Sequence, residues 1–315
     1  MKSVAARRLS SYLPQLLLTV VLLLLFLGMM FASEYFLTLK NLKNIAEAAS
    51  FRLILAIGMT VVIASGGIDL SVGSIVSVCG ILMAGMVRAE WAVGLAIFLG
   101  VLAGTFMGAL NGAVIAKSRI SPFIITLAFM SIYRGLGLIL TKGIPITKLP
   151  SAFLFFGRSD VDRLNPPLWL AFGLLMLLAP LLFRTKWGQY VMALGGNEEA
   201  LRRQGVATDR YRMYAHMMAG FTAAVTGLII TARLNSAEAN AGLGMEVDAI
   251  TAVILGGTSL SGGRASLFGT SVAVILLGSI RNALTILSIS SYYQQFVMGL
   301  LLLLSVLLAK WREQT

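Results

Sequence analysis

Long apolar runs occupy most of this chain of 315 residues and constrain its fold more than any other feature. Hydrophobic residues make up 58% of the sequence and charged residues 12%, against about 25% charged in ordinary soluble domains. A bilayer offers no water to satisfy peptide groups, so runs of this length must form helices that bond internally. We therefore predict an all-α, polytopic membrane protein with a single transmembrane domain over residues 1–315.

The apolar runs divide into about ten transmembrane segments, several of them short or broken. The first run follows Lys2, Arg7 and Arg8 and is longer than a signal-peptide core, so we interpret it as an uncleaved helix with a cytoplasmic N-terminus. An even number of segments places the C-terminus, with its basic residues, on the same side. The predicted segments are 13–31, 45–65, 71–87, 91–116, 121–141, 167–183, 212–232, 247–257, 266–287 and 292–309.

Two glycine-rich segments interrupt these runs with nearly the same pattern. GGIDLSVG begins at Gly66 and GGTSLSGG begins at Gly256. Backbone that leaves a helix inside the hydrocarbon layer persists only where protein or a water-filled cavity lines it, and transporters place such breaks at corresponding positions of two halves. The pair predicts an internal two-fold repeat with parallel halves, and a transport pathway at the breaks.

Polar residues near the two breaks are the candidate pathway residues. Asp69 either accepts hydrogen bonds from substrate hydroxyls or caps the helix that follows, and we favour the cap. Ser259 stands at the matching position and can cap without a charge. Because weak binding favours release, we expect no deep, charge-rich pocket. The candidates are Ser65, Gly66, Gly67, Asp69, Ser71, Asn111, Thr258, Ser259 and Ser261.

Glycines recur at every fourth residue in the run from Trp91 to Ala116. They stand at positions 100, 104, 108 and 112, on one face of a helix, and small residues at this spacing let two helices approach closely. Asn111 lies beside this face. It bridges helices or touches a polar substrate, and we favour the bridge.

Three other residues in apolar runs need an interpretation. Arg134 requires a partner that the sequence does not name. His216, the only histidine, is predicted to be structural rather than a proton relay. Cys79, the only cysteine, excludes an intramolecular disulfide and is predicted to pack as a small apolar residue. We expect no catalytic residue, no metal site and no cofactor.

The longest charged segment, residues 184–211, is predicted to be a cytoplasmic loop that contains a short surface helix. Asn197 suits the N-cap, acidic residues follow it, basic residues end the helix, and Gly205 suits the position after the end. The helix either inserts into a cytoplasmic partner or simply connects two spans. The candidate contact residues are Gly196, Asn197, Glu198, Glu199, Ala200, Leu201, Arg202, Arg203 and Gly205, with Ala200, Leu201 and Val206 offering apolar contacts.

Three motifs in order carry a resemblance to a known family. GGIDLSVG at Gly66, ALGGNEEALRRQGV at Ala193 and VILGGTSLSGG at Val253 resemble the permease subunit of bacterial ABC-type monosaccharide importers, over residues 35–308. The resemblance implies an inner-membrane channel for a ribose-like sugar, made of two copies of the chain or of the chain and a close paralogue. It also implies a periplasmic sugar-binding protein and a separate cytoplasmic ATPase that binds the helix within 195–205.

Two further expectations accompany the resemblance. The sequence contains no G-x-x-x-x-G-K-[ST] phosphate loop, so this chain should not hydrolyse ATP. The segments Lys142–Pro167 and Arg233–Asp248 are candidate docking surfaces for the binding protein, although they suit ordinary connecting loops equally well. The docking charges of the first are Arg158, Asp160, Asp162 and Arg163.

An alternative from a different class is an ion-coupled secondary transporter in which Asp69 binds a proton or sodium. The second break carries Ser259 in place of the aspartate, so a symmetric pair of charges is absent. This suits the passage of a neutral polyol better than the binding of an ion.

Overall fold

The computed structural model describes residues 4–158 and 165–314, and helices dominate it, which confirms the all-α prediction. Lys2, Asp160, Asp162 and Arg163, and the side chains of Arg7, Arg8 and Arg312, lie outside what the structure describes. The helices are α1 (Val4–Ala32), α2 (Leu39–Ala64), α3 (Val72–Arg88), α4 (Val93–Ser118), α5 (Pro122–Thr141), α6 (Ser151–Leu154), α7 (Pro166–Arg184), α8 (Lys186–Gly196), α9 (Glu198–Arg203), α10 (Thr208–Leu234), α11 (Met245–Leu255), α12 (Leu267–Ile286) and α13 (Ser291–Gln314).

Eight helices in the described ranges are long and apolar enough to cross a membrane, namely α1, α2, α4, α5, α7, α10, α12 and α13. Helix α3 has 17 residues, or about 26 Å, and α11 has 11 residues, or about 17 Å. A hydrocarbon core is about 30 Å thick. Each of the ten predicted segments is therefore a helix, but α11 is too short to span the bilayer unaided.

Helices α2 and α10 form the centre of the bundle. In their most apolar stretches 78% and 72% of the residues are buried, against 11% for α1 and α13. Helices α3, α4 and α12 pack around this centre, and the outer helices carry the exposed leucines and phenylalanines that face lipid. The core of the protein is therefore formed mainly by α2 and α10, which other helices surround.

Helix α4 packs closely against α10 through the predicted glycine face. A Cβ on Gly108 would overlap the backbone carbonyl of His216, and a Cβ on Gly104 would stand 2.7 Å from Ala224 Cβ. Gly104 also meets the buried Cys79, which packs as a small residue, as predicted. The prediction of close packing is confirmed because only hydrogen fits between these two backbones.

The bundle has two distinguishable ends. The near end is the one formed by α8 and α9. Helix α10 begins there, and Gln15 of α1 donates to Ser266, just before α12, over 3.1 Å. The far end holds the C-terminus of α10 and a two-stranded antiparallel sheet of β1 (Ile146–Thr147) and β2 (Ser236–Ala237). This sheet joins the two predicted docking segments into one surface.

Replacement of Gly108 by alanine should destabilise the protein, because the added methyl group collides with backbone rather than with a movable side chain. Overpacking costs about 1–3 kcal/mol, and we expect the melting temperature in detergent to fall by roughly 5 °C. Gly94, in the first turn of the same helix, has nothing within 4 Å of an added Cβ and provides the matched control. Equal melting temperatures for Gly108→Ala and Gly94→Ala would contradict the packing described here.

Candidate functional site

The first break follows a complete membrane-length helix. Helix α2 contains 26 residues, about 39 Å, and ends at Ala64 with Ser65 as its C-cap. The first break therefore lies at the near end of the bundle, after a helix long enough to cross a bilayer, and its depth in the membrane stays a prediction. Lys40 and Lys43 concealed the first turns of α2 in the sequence, since charges interrupt the apolar pattern there.

Asp69 is fully buried in the loop between α2 and α3. Its Oδ1 accepts hydrogen bonds from the backbone N–H and the hydroxyl of Ser71, at 2.9 and 2.6 Å. Its Oδ2 lies 2.9 Å from Nδ1 of His216 on α10. Asp69 thus stabilises the turn before α3 and does not accept a hydrogen bond from an N–H within that helix. Its bond with His216 attaches the turn to α10.

The same network continues into α4 and α5. The Asn111 amide donates to the Ser71 hydroxyl over 2.6 Å, and its oxygen accepts a hydrogen bond from the Tyr133 hydroxyl over 2.8 Å. Asn111 is fully buried, so the structure confirms the bridging interpretation. Thr126 of α5 donates to the Ile68 carbonyl over 3.1 Å and fixes the break from a second side. Hydrogen-bonded partners from three helices therefore hold the first break.

His216 is a buried structural residue, as predicted, but its pairing with Asp69 was not predicted. Its Nε2 has no hydrogen-bond partner and lies 3.6 Å from the position of a Cβ added to Gly67. An imidazole that donates through Nδ1–H leaves Nε2 as a bare acceptor. The Nε2 atom of His216 thus faces the backbone of the first break without a hydrogen-bond partner.

The second break differs from the first in length and in the way it ends. Ser259 and Ser261 bond to each other at 2.9 Å, and the Ser259 N–H donates to the carbonyl of Arg264. Helix α12 begins only at Leu267, where Ser266 accepts a hydrogen bond from the Gly269 N–H. The prediction that Ser259 caps this helix is wrong, because the chain closes a further turn before α12 starts.

The glycines of that extra turn explain the difference between the two copies. Gly262 and Gly263 have φ of +86° and +80°, a conformation that L side chains rarely adopt. In the first copy the matching positions lie inside α3, where Val72 and Gly73 are helical. The helices that flank the two breaks also differ in length: α2 and α3 have 26 and 17 residues, and α11 and α12 have 11 and 20.

Both breaks meet the end of α8 at Gly195. The Gly263 N–H donates to the Ala64 carbonyl over 2.9 Å, which joins the two breaks directly. A Cβ on Gly195 would overlap that same carbonyl and would stand 2.7 Å from Gly263 N and 2.9 Å from Gly66 N. We call these residues (Ala64, Gly66, Gly195, Gly262 and Gly263) the glycine junction. It connects three backbone segments that are far apart in sequence.

Helix α9 follows the glycine junction and has the predicted ends. The Asn197 side chain accepts from the Ala200 N–H over 2.9 Å, Arg202 pairs with Glu198 over 2.9 Å, and Gly205 has φ +81°. Glu198 also bonds Arg212 at the start of α10. One expectation is wrong. Leu201 is only 5% exposed, so it anchors α9 to the protein and is not available to a partner, whereas Ala200 is exposed.

The far end contains a charged cavity that the sequence did not predict. Arg281 donates to Asp248 over 2.6 Å, Arg52 lies 3.8 Å from the same carboxylate, and both Arg52 and Arg233 lie over the Phe51 ring. An open cavity of about 470 Å³ adjoins these arginines. Its other polar lining residues are Asn44, Asn282, Thr285 and Gln294. This cavity is open rather than deep and is lined by none of the predicted pathway residues, so the expectation of no deep, charge-rich pocket on the pathway stays a prediction.

The chain matches one protein-family model and many curated relatives. The family is described as branched-chain amino acid transport system / permease component, and its model matches residues 41–306. The ribose import permease protein of Escherichia coli K12 is 39% identical over 87% of both chains, and that of Bacillus subtilis 168 is 41% identical over 85% of this chain and 84% of its own. The L-arabinose ABC transporter permease protein of Azospirillum brasilense is 32% identical over 94% of this chain and 87% of its own. No solved structure matches.

The match runs from the first turn of α2 into α13 and so leaves out α1. It agrees with the bundle of membrane-length helices, the two glycine-rich breaks and the surface helix α9. This chain therefore belongs to the permease family of transport systems and is a non-catalytic, membrane-spanning subunit.

Proposed function

We propose that this chain, paired with a second copy of itself or a close paralogue, forms the translocation pathway of an ATP-driven importer for a ribose-like monosaccharide. The observation that carries this proposal is the 39–41% identity to ribose import permeases over most of both chains. The chain is a multi-pass protein of the inner membrane, and its family works with an ATP-binding subunit and a periplasmic binding protein.

Helix α9 supplies the surface for the ATP-binding subunit. Glu199 and Arg203 have side chains that are 66% and 78% exposed, and Ala200 is exposed between them. Leu201 on the opposite face packs α9 against the bundle. In this proposal a displacement of α9 by its partner therefore also displaces the residues of the bundle that contact it. In this proposal the near end and both chain termini face the cytoplasm.

The glycine junction carries the displacement from α9 to the pathway. Gly195 precedes α9 by three residues and touches the backbone of both breaks. The hydroxyls of Ser65, Thr258, Ser259 and Ser261 lie around these breaks, and in this proposal they offer neutral, weak contacts to sugar hydroxyls as the breaks separate. Weak contacts suit a channel because the separate binding protein has already selected the sugar.

Asp69 does not favour the ion-coupled alternative. Its two carboxylate oxygens accept three hydrogen bonds, from Ser71 and His216, and the side chain has no exposed surface. A cation site would need these oxygens to be free or to share further oxygen ligands. The structure thus supports a structural use of this carboxylate.

The far end supplies the surface for the binding protein. The small sheet of β1 and β2 joins the two predicted docking segments, and Asn235 accepts a hydrogen bond from the Leu149 N–H over 3.0 Å, which further connects them. The cavity beside Arg52, Arg233 and Arg281 opens at the same end. Charges on such a rim set the encounter rate more than the affinity.

Uptake by proteoliposomes tests the function. We expect the permease, reconstituted with its ATP-binding subunit and the loaded binding protein, to accumulate radiolabelled ribose only when ATP is present on the side of the ATP-binding subunit. The matched control is the permease alone under a proton or sodium gradient, for which we expect no uptake. Ribose uptake by the permease alone would establish ion coupling and overturn the proposal.

Charge reversal on α9 tests the docking surface. Arg203→Glu breaks an exposed pair worth only about 0.3–0.5 kcal/mol, so the helix should survive, yet we expect co-purification of the ATP-binding subunit and ribose uptake to fall at least about tenfold. The double swap Glu199→Arg with Arg203→Glu restores the pair within the helix but reverses the surface charges. We expect it to remain defective. Recovery in the double swap would mean that α9 matters only through its own stability.

A further inference from the structure

Two charged side chains, those of Glu246 and Arg134, contain buried polar atoms that lack hydrogen-bond partners. Glu246, at the start of α11, is 6% exposed, and its Oε2 has no hydrogen-bond partner. Its Oε1 accepts one bond, from the Gly244 N–H over 3.3 Å. Nε and Nη2 of Arg134 on α5 are likewise buried and unpartnered. Within the described ranges, no ion pair of 4 Å or less involves either residue.

Contacts on both sides of Arg134 locate the two side chains in one place. One helical turn before Arg134, the Met130 carbonyl accepts a hydrogen bond from Ser74 of α3, and one turn after it Gly137 packs on Ala239. Glu246 Oε2 would overlap a Cβ on Gly73, the neighbour of Ser74. Both residues therefore lie at the junction of α3, α5 and the segment that leads into α11.

The position makes the missing partners costly. Arg134 lies near the middle of the 20-residue helix α5, where a charge in a membrane costs about 2.5 kcal/mol or more. A buried polar group without a partner costs a further 1–3 kcal/mol, and more if it is charged. Because this cost is high, we infer that a ligand forms hydrogen bonds with the Glu246 carboxylate and the Arg134 guanidinium during transport.

We propose that Glu246 and Arg134 form a polyol-binding subsite on the translocation route, where Glu246 Oε2 accepts a hydrogen bond from one sugar hydroxyl and Arg134 donates to another. A carboxylate and a guanidinium complement the donor and acceptor character of adjacent hydroxyls, and their opposite charges leave the subsite neutral overall. Gly73 leaves room for the carboxylate itself, because a Cβ at this position would overlap Glu246 Oε2. This inference rests on the proposed sugar-import function.

Single and double substitutions in the full transport complex test the subsite. We expect Glu246→Gln and Arg134→Gln to assemble with the ATP-binding subunit, to retain ATP hydrolysis stimulated by the loaded binding protein, and to import ribose about tenfold more slowly, which is the loss expected for one charge-assisted hydrogen bond. The double variant Arg134→Leu with Glu246→Leu should be at least as slow in uptake. Each substitution should therefore lower the ratio of ribose imported to ATP hydrolysed.

The matched control is Glu47, another buried glutamate, whose Oε1 accepts a hydrogen bond from Asn165 over 2.8 Å. Glu47→Gln should leave the ratio of ribose imported to ATP hydrolysed unchanged. Two results would overturn the subsite: wild-type uptake in both single variants, or recovery of uptake in the double leucine variant, which would indicate an ion pair that forms only in another conformation. Absence of ATP-dependent uptake by the wild-type complex would instead refute the proposed function itself.

Discussion

The close approach of three backbone segments at Gly195 is the constraint on which the functional part of this structure depends. The end of α8, the break after α2 and the break after α11 meet there, and only a hydrogen atom fits between the Gly195 Cα and the Ala64 carbonyl. The hydrogen bond from Gly263 to Ala64 closes the same contact. Because α9 begins three residues later, we propose that a partner bound to α9 acts on both breaks through the main chain.

Close packing and buried hydrogen bonds fix the other helices of the bundle. We therefore expect conformational changes to occur mainly at the glycine junction. Glycines of α4 lock that helix to α10, and the network of Asp69, His216, Ser71 and Asn111 ties the first break to α10 and α4. Buried polar networks with satisfied partners are rigid, since each bond lost in a low-dielectric site costs more than in water. The second break is held by different contacts: Ser259 and Ser261 hydrogen-bond to each other, and Thr258 accepts a hydrogen bond from the Ser266 N–H.

Features that depend on residues close together in the sequence could be predicted from the sequence. The apolar runs predicted ten helices, the spacing of four predicted the packing face of α4, and cap residues predicted the ends of α9. Contacts between distant segments were beyond these rules. Nothing near Asp69 in sequence points to His216, and the role assigned to Ser259 failed because motif similarity hid an extra turn. The outward orientation assumed for Leu201 failed because a six-residue helix has no period long enough to reveal its buried face.

Replacement of Gly195 by alanine, measured as ribose imported per ATP hydrolysed, tests the central claim most directly. The added methyl group forces the two breaks apart, whereas at the adjacent Gly196 the nearest atom to an added Cβ is 3.8 Å away, so Gly196→Ala is the matched control. The account predicts that Gly195→Ala still binds the ATP-binding subunit and hydrolyses ATP but imports at least about tenfold less ribose per ATP, a change of about 1.4 kcal/mol in coupling. An unchanged ratio in Gly195→Ala, equal to that of Gly196→Ala, would contradict it.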